Sequence, residues 1–212
     1  MLAPWCVRPR RQRHRRCLTD PDIPHLIPLE SYPPYTFQCS AEEQQEFLHE
    51  RAVPDQQDDL SRTYLAHLNG TVVGYLTLTM DAIELETKEK PRSSIPYRRL
   101  PALKLAQLAV DYRWEGRGIG KQLVAFAIGI AFEIRRQVGC RYLTLDARTP
   151  KLVSWYAKQE FKVNKVDDKA KRRRAEDRGL DVDSLPTSMR LDLHHFLKDL
   201  QDRHPSDFPA DG

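Results

Sequence analysis

Residues 102–122 read ALKLAQLAVDYRWEGRGIGKQ: a mostly apolar run, a short polar turn, glycines at 116, 118 and 120, then an amphipathic run that continues without a break. A strand that feeds a glycine turn and then a helix is suited to bind an anion. Glycine lets the backbone approach a ligand closely, and the first helical turn offers unpaired N–H groups at the positive end of the helix dipole. Two nucleotide motifs are excluded by spacing. A dinucleotide fold needs G-x-G-x-x-G, but Lys121 stands where its third glycine belongs. A P-loop needs four residues before Gly-Lys and then Ser or Thr, whereas this chain has three and then Gln122.

Working outward, 102–110 is apolar except for Lys104 and Gln107, as expected of a strand covered on both faces. After Gly118, residues Ile119, Leu123, Phe126, Ile130 and Ile134 share one helical face until Gly139. Upstream, Ser40 and Glu43 form a capping box, predicting a helix that Pro54 stops by about residue 52. Asn69-Gly70 predicts a hairpin joining strands at 62–68 and 72–79. Residues 82–86 are read as continuing the second strand and 88–96 as a polar loop. Downstream come a short strand at 142–145, a helix that starts at Pro150 and runs to about 159, and a strand at 161–166. A charged surface insertion at 167–187 and a last strand at 188–193 complete the order. His194-His195 is read as part of the chain's exposed end, and the residues after 200 as a frayed tail.

Charge is unevenly placed. Six arginines and no acid lie within residues 1–19; removing them from the net charge of +4 leaves −2 for the rest. A basic leader of this kind could bind nucleic acid, but an unfolded tail, or a start codon set too early, is the preferred reading. Five prolines at 21, 24, 28, 33 and 34 rule out a regular helix over 20–38 and predict an extended entry into the domain. The four cysteines are scattered without metal-type spacing, which suits reduced thiols in a cytoplasmic protein. No run approaches the ~18 apolar residues of a membrane helix, and neither a metal site nor a membrane role is expected.

The segment Leu108-Ala109-Val110-Asp111 followed by Glu115-Gly116-Arg117-Gly118-Ile119-Gly120 resembles the acyl-CoA loop of the GNAT family of N-acetyltransferases, whose motif is Gln/Arg-x-x-Gly-x-Gly/Ala. In this frame Glu115 stands at the Gln/Arg position. A second frame, Arg113-x-x-Gly116-x-Gly118, also satisfies the motif, two residues early. The resemblance covers roughly 35–166, with 189–193 as the family's last strand. It is nearest to the branch that holds bacterial acetyltransferase toxins, through Phe37-Gln-Cys39, Phe47-Leu48, Ser61-Arg-Thr63-Tyr64, Val73-Gly74-Tyr75 and Ile95-Pro96.

The resemblance implies an α/β (α+β) acyl-CoA N-acyltransferase fold: a mixed, mostly antiparallel twisted sheet of about six to seven strands with helices on both faces. It places the catalytic domain at 26–200, between a leader at 1–25 and a tail at 201–212. Acetyl-CoA is the implied cosubstrate and a primary amine the acceptor. Leu108, Ala109 and Val110 would hold the pantetheine arm. Glu115, Gly116, Arg117, Gly118, Ile119, Gly120 and Lys121 would hold the pyrophosphate, with Arg117 and Lys121 supplying the charge that Glu115 does not. Tyr156, in Ser154-Trp155-Tyr156-Ala-Lys-Gln159-Glu160-Phe161, matches the family's thiolate acid, with Glu160 in place of its usual glycine. Glu84 and Glu86 are candidate bases acting through water, or a solvated strand end; Asp146 reads equally as a strand-end cap. Aminoacyl-tRNA is one acceptor that the toxin branch implies, and the basic stretches at 8–16 and 169–174 are compatible with it. A homodimer is also admitted. The competing reading is an acyl-CoA-binding protein without turnover, favoured by Glu115 and opposed by Tyr156.

Overall fold

The computed structural model describes residues 23–31, 36–90 and 95–203, so most of the basic leader and the end of the chain lie outside the described residues. Among the described residues seven strands form one sheet: β1 (His25–Pro28), β2 (Arg62–Leu68), β3 (Thr71–Glu84), β4 (Arg99–Val110), β5 (Tyr142–Ala147), β6 (Lys162–Val163) and β7 (Thr187–Asp192). Their order is β1-β2-β3-β4-β5-β7-β6, and every pairing is antiparallel except β4 with β5. The β2–β3 turn has Asn69 at φ 49° and Gly70 at φ 76°, the left-handed pair the hairpin signal requires.

Helices cover both faces. On one, α3 (Ile119–Gln137), α4 (Pro150–Ala157) and α6 (Leu193–Arg203) close the main core around Leu76, Leu103, Leu123, Leu143 and Leu191. On the other, α1 (Glu42–Glu46), a π-turn (Phe47–Arg51) and α2 (Ala52–Gln57) pack Phe47, Leu48 and Val53 against Leu65 and Tyr75. Helix α5 (Lys165–Glu176) lies against β7 and β3.

The central strand carries the decisive irregularity. Thr77 pairs with Gln107 but Leu78 with Leu105, so Ala106 is an extra residue in β4. A bulge of one residue reverses which side chains face which way. Leu103 and Leu105 pack in the α3 core before it, whereas Ala109 joins the α1–α2 core after it. At the same place β4 parts from β5, because their parallel pairing covers only Ala102–Leu105 against Tyr142–Leu145.

Four expectations are corrected. Ser40 and Glu43 make no capping box, since α1 begins after Ala41 with no side-chain cap. Instead the Ser40 hydroxyl donates to Glu115 Oε1 (3.0 Å) and Glu43 pairs with Arg148. Bonds to charged partners outweigh neutral N–H capping. Pro54 does not stop the first helix, which runs on to Gln57. The preceding π-turn bonds Ala52 N–H to the Phe47 carbonyl, and Pro54 follows two residues later, in the opening turn of α2, where a missing N–H costs little. The strand expected at 161–166 is only Lys162–Val163: Asn164, bonded through Nδ2 to Asp167 Oδ2 (2.7 Å), starts α5, so the charged insertion is largely helix. The frayed end is helical to Arg203, with the Asp192 carboxylate accepting the N–H groups of His194 (3.0 Å) and His195 (3.2 Å).

Gly74, opposite Val110, leaves no room for a side chain: a Cβ there would lie 3.0 Å from the Ala109 carbonyl oxygen and 3.1 Å from Leu123 Cδ1. Gly74→Ala is expected to lower stability by about 1–3 kcal/mol, read from denaturant midpoints. An unchanged midpoint would mean that α3 is not packed this closely on β3.

Candidate active site

Beyond the bulge, β4 delivers the chain to Asp111, which is completely buried. Its N–H donates to the Val73 carbonyl (3.0 Å). Its carboxylate accepts Nε (2.8 Å), Nη2 (2.7 Å) and the backbone N–H (3.0 Å) of Arg113, and the N–H of Gln38 (3.2 Å). The Arg113 side chain holds the Asp111 carboxyl below the usual range, against the opposing effect of burial. Arg113 also donates to the Thr36 carbonyl (2.9 Å), and Tyr112 N–H to that of Gln38 (2.9 Å). Arg113 is thereby committed to this staple, which takes it out of the second motif frame.

After the 3-10 turn Tyr112–Trp114, Gly116 has φ 74° and Gly118 φ 88°. These values strain any residue with a Cβ, which is why glycine is needed at both. Gly118 is the N-cap of α3, and its carbonyl accepts from Lys121 (3.1 Å) and Gln122 (3.3 Å). The N–H groups of Ile119 and Gly120 have no acceptor among the described residues, as the first turn of a helix requires. Arg117 lies over the Trp114 ring, 4.7 Å from its centroid, and Lys121 is exposed.

Helix α4 approaches the same turn. Thr149 caps it by accepting Leu152 N–H (3.2 Å), and Pro150 occupies its first turn. A Cβ at Gly120 would sit 3.5 Å from the Trp155 ring, so α4 rests on the start of α3. Tyr156 is buried next to it, edge-on to Trp155 (4.7 Å) and Phe161 (5.6 Å). Burial pushes its phenol up to about 12, and its hydroxyl has no hydrogen-bond partner among the described residues. Glycine turn, free end of β4 and Tyr156 are therefore gathered on one side of the β4–β5 split.

Glu84 and Glu86 are not brought there. Glu84 pairs with Arg99 at the opposite end of β4, six residues or about 20 Å from Leu105. Its carboxylate accepts Arg98 Nε (3.0 and 3.1 Å), and Glu86 pairs with Lys88 (3.0 Å).

A polar network lies on the other face, joining residues distant in sequence. Asp146 sits in the split, accepting Lys104 Nζ (2.8 Å), Lys171 Nζ (2.5 Å) and Ser188 Oγ (2.9 Å). Burial pushes its carboxyl up, and the two ammonium groups more than offset this, leaving it at about 2. It is the centre of a network rather than a strand-end cap. Nearby, Thr144 Oγ1 donates to Asp81 Oδ2 (2.7 Å). Lys104 was the one visible signal, a charge inside an apolar strand. Among the described residues no group of His, Cys, Asp and Glu is arranged to hold a metal ion, no helix is long and apolar enough to cross a membrane, and Cys39 and Cys140 are free thiols.

The sequence profile of the acetyltransferase (GNAT) family matches residues 26–161, more than half of the chain. The chain belongs to this family. It is an acetyl-CoA-dependent N-acetyltransferase. Among relatives, a tRNA-acetylating toxin of Mycobacterium tuberculosis (strain ATCC 25618 / H37Rv) is 26% identical over 123 residues, 58% of this chain and 74% of the toxin. Among solved structures, AtaT complexed with acetyl-methionyl-tRNAfMet is 27% identical with a TM-score of 0.59, covering 66% of this chain and 86% of AtaT. AtaTR bound with acetyl-CoA is 29% identical with a TM-score of 0.57, covering 66% and 86%.

Two outcomes are expected. Gly118→Val forces a β-branched residue to positive φ, and should weaken acetyl-CoA binding at least tenfold and lower stability by about 1–2 kcal/mol; calorimetric titration and thermal melts read both. Asp146 has a folded value of about 2 against an ordinary ~3.9 unfolded, so its stabilisation is present above pH ~4 and lost as pH falls toward 2. Asp146→Asn should be less stable than the parent at pH 6, with the gap narrowing from pH 4 to pH 2. A gap independent of pH would contradict the network.

Proposed function

We propose that this chain transfers the acetyl group of acetyl-CoA to the amino group of an aminoacyl-tRNA. The observation that carries the reading is the parting of β4 from β5 at Leu105. It frees the edge of residues 106–110 to bind an extended acyl chain, and that edge runs straight into the free N–H groups of Ile119 and Gly120. In this reading the pyrophosphate lies on 116–121, neutralised by Arg117 and Lys121. The Glu115 carboxylate is turned aside by its bond to Ser40, so the acid at the motif position is held away from the phosphate. The acceptor class comes from the two relatives whose names carry tRNA.

The amine nitrogen attacks the thioester carbonyl carbon, the C–S bond breaks, and the nitrogen must lose a proton while sulfur gains one. In this reading Tyr156 serves both needs. A phenol at about 12 stays protonated at any working pH, and full transfer to a thiolate near 8.5 is uphill on its own. We therefore assign it a relay: it gives its proton to the departing sulfur and takes one from the ammonium formed at nitrogen, ending as it began. Backbone N–H groups of β4 polarise the carbonyl. Glu84 and Glu86, ion-paired at the far end of β4, have no role in this scheme.

Tyr156→Phe is expected to lower kcat by about 10²-fold with little change in acetyl-CoA affinity. The assay follows free thiol and acetylated product with aminoacyl-tRNA and with small amines as acceptors. Wild-type turnover in the variant would reduce Tyr156 to packing. Tight coenzyme binding with no thiol release from the parent chain over every acceptor would instead favour binding without turnover.

A further inference from the structure

Helix α5 uses its basic residues in two ways. Lys171 and Arg172 are turned inward: Lys171 Nζ reaches Asp146 and the Pro186 carbonyl, and Arg172 Nε binds Asp168 (3.1 Å). Lys165, Lys169 and Arg173 repeat at every fourth residue, with Arg174 beside them, and all four are exposed. A spacing of four residues puts these charges on one face, about 6 Å apart along the axis. Lys169, Arg173 and Arg174 form no ion pair among the described residues. Together with Lys165 they line a concavity of about 570 Å³. Two acids, Glu86 and Asp177, line it as well, and Glu86 is already paired with Lys88.

An exposed stripe of unpaired cations along a concave surface attracts a polyanion. Its location decides which one. The helix that presents the stripe outward also sends Lys171 into the split beside Lys104 and Asp146, on the face opposite to α3. An acceptor that enters from that face passes along α5, so its own backbone is the polyanion nearest the stripe. We propose that Lys169, Arg173 and Arg174, with Lys165, form the docking surface for the phosphodiester backbone of the RNA acceptor, behind the aminoacyl end. The proposal rests on the function assigned above.

The test replaces Lys169, Arg173 and Arg174 together by glutamine in the full chain, which preserves helix propensity. Three readouts are compared with the parent: KM and kcat for aminoacyl-tRNA, binding of deacylated tRNA as a function of salt, and acetyl-CoA binding. The expected result is a rise of about tenfold or more in tRNA KM and Kd. The slope of log affinity against log salt should fall by about 2–3, while acetyl-CoA binding stays unchanged. An unchanged tRNA Kd and salt slope would overturn the surface even if the reaction stands. A parent chain that binds tRNA through these residues but acetylates none would keep the surface and overturn the reaction. Binding of polyglutamate that the variant loses, with tRNA binding intact, would assign the stripe to an acidic protein partner and overturn the RNA reading.

Discussion

The separation of β4 from β5 after Leu105 is the constraint on which the site depends. A parallel pair held together over its whole length would satisfy its own backbone groups and leave nothing for a ligand. Here pairing lasts four residues, and the inserted Ala106 follows directly where it stops. The bulge turns Ala109 toward the N-terminal helices while β3 continues to hold the other edge of β4 as far as Val110. The free edge is thus held along its other side although it is unpaired toward β5. Asp111 fixes its end: a fully buried carboxylate, saturated by Arg113 and Gln38, ties the strand to segment 36–38 before the glycine turn begins.

The two faces of the split are chemically different. Toward α3 and α4 it offers helix-start N–H groups, aromatic rings and a phenol held protonated by burial. Toward α1 and α5 it offers a polar lining in which Asp146 is matched by two lysines from β4 and α5. Breaking such a partly buried triad by removing one member leaves an uncompensated charge, so it also pins α5 to the sheet. That coupling ties the position of the helix's outer basic face to the geometry of the reacting end.

Much of this was legible in the sequence because it rests on local rules. Asn69-Gly70 demands a hairpin, Gly118 demands positive φ, and the spacing from Ile119 to Ile134 demands an amphipathic helix; each depends on neighbours within a few residues. What escaped depends on distant partners. Ser40 reads as a cap until Glu115, 75 residues away, offers a charged acceptor. Asp146 reads as a strand end until Lys104 and Lys171 converge on it. The bulge at Ala106 leaves no mark in an apolar run whose two faces are both buried. Helices α5 and α6 are different: Asn164 and Asp192 are good starting residues, and Leu193, Phe196, Leu197 and Leu200 have helical spacing, but the surrounding charge and histidines mask the period.

Amide hydrogen exchange with and without acetyl-CoA tests the central claim most directly, because it reads the backbone groups that the split exposes. New protection is expected at residues 106–110 and at the amides of Gly118, Ile119 and Gly120, with little change in β1, β2 or α5. Protection concentrated elsewhere, or none at the β4 edge under saturating coenzyme, would contradict it.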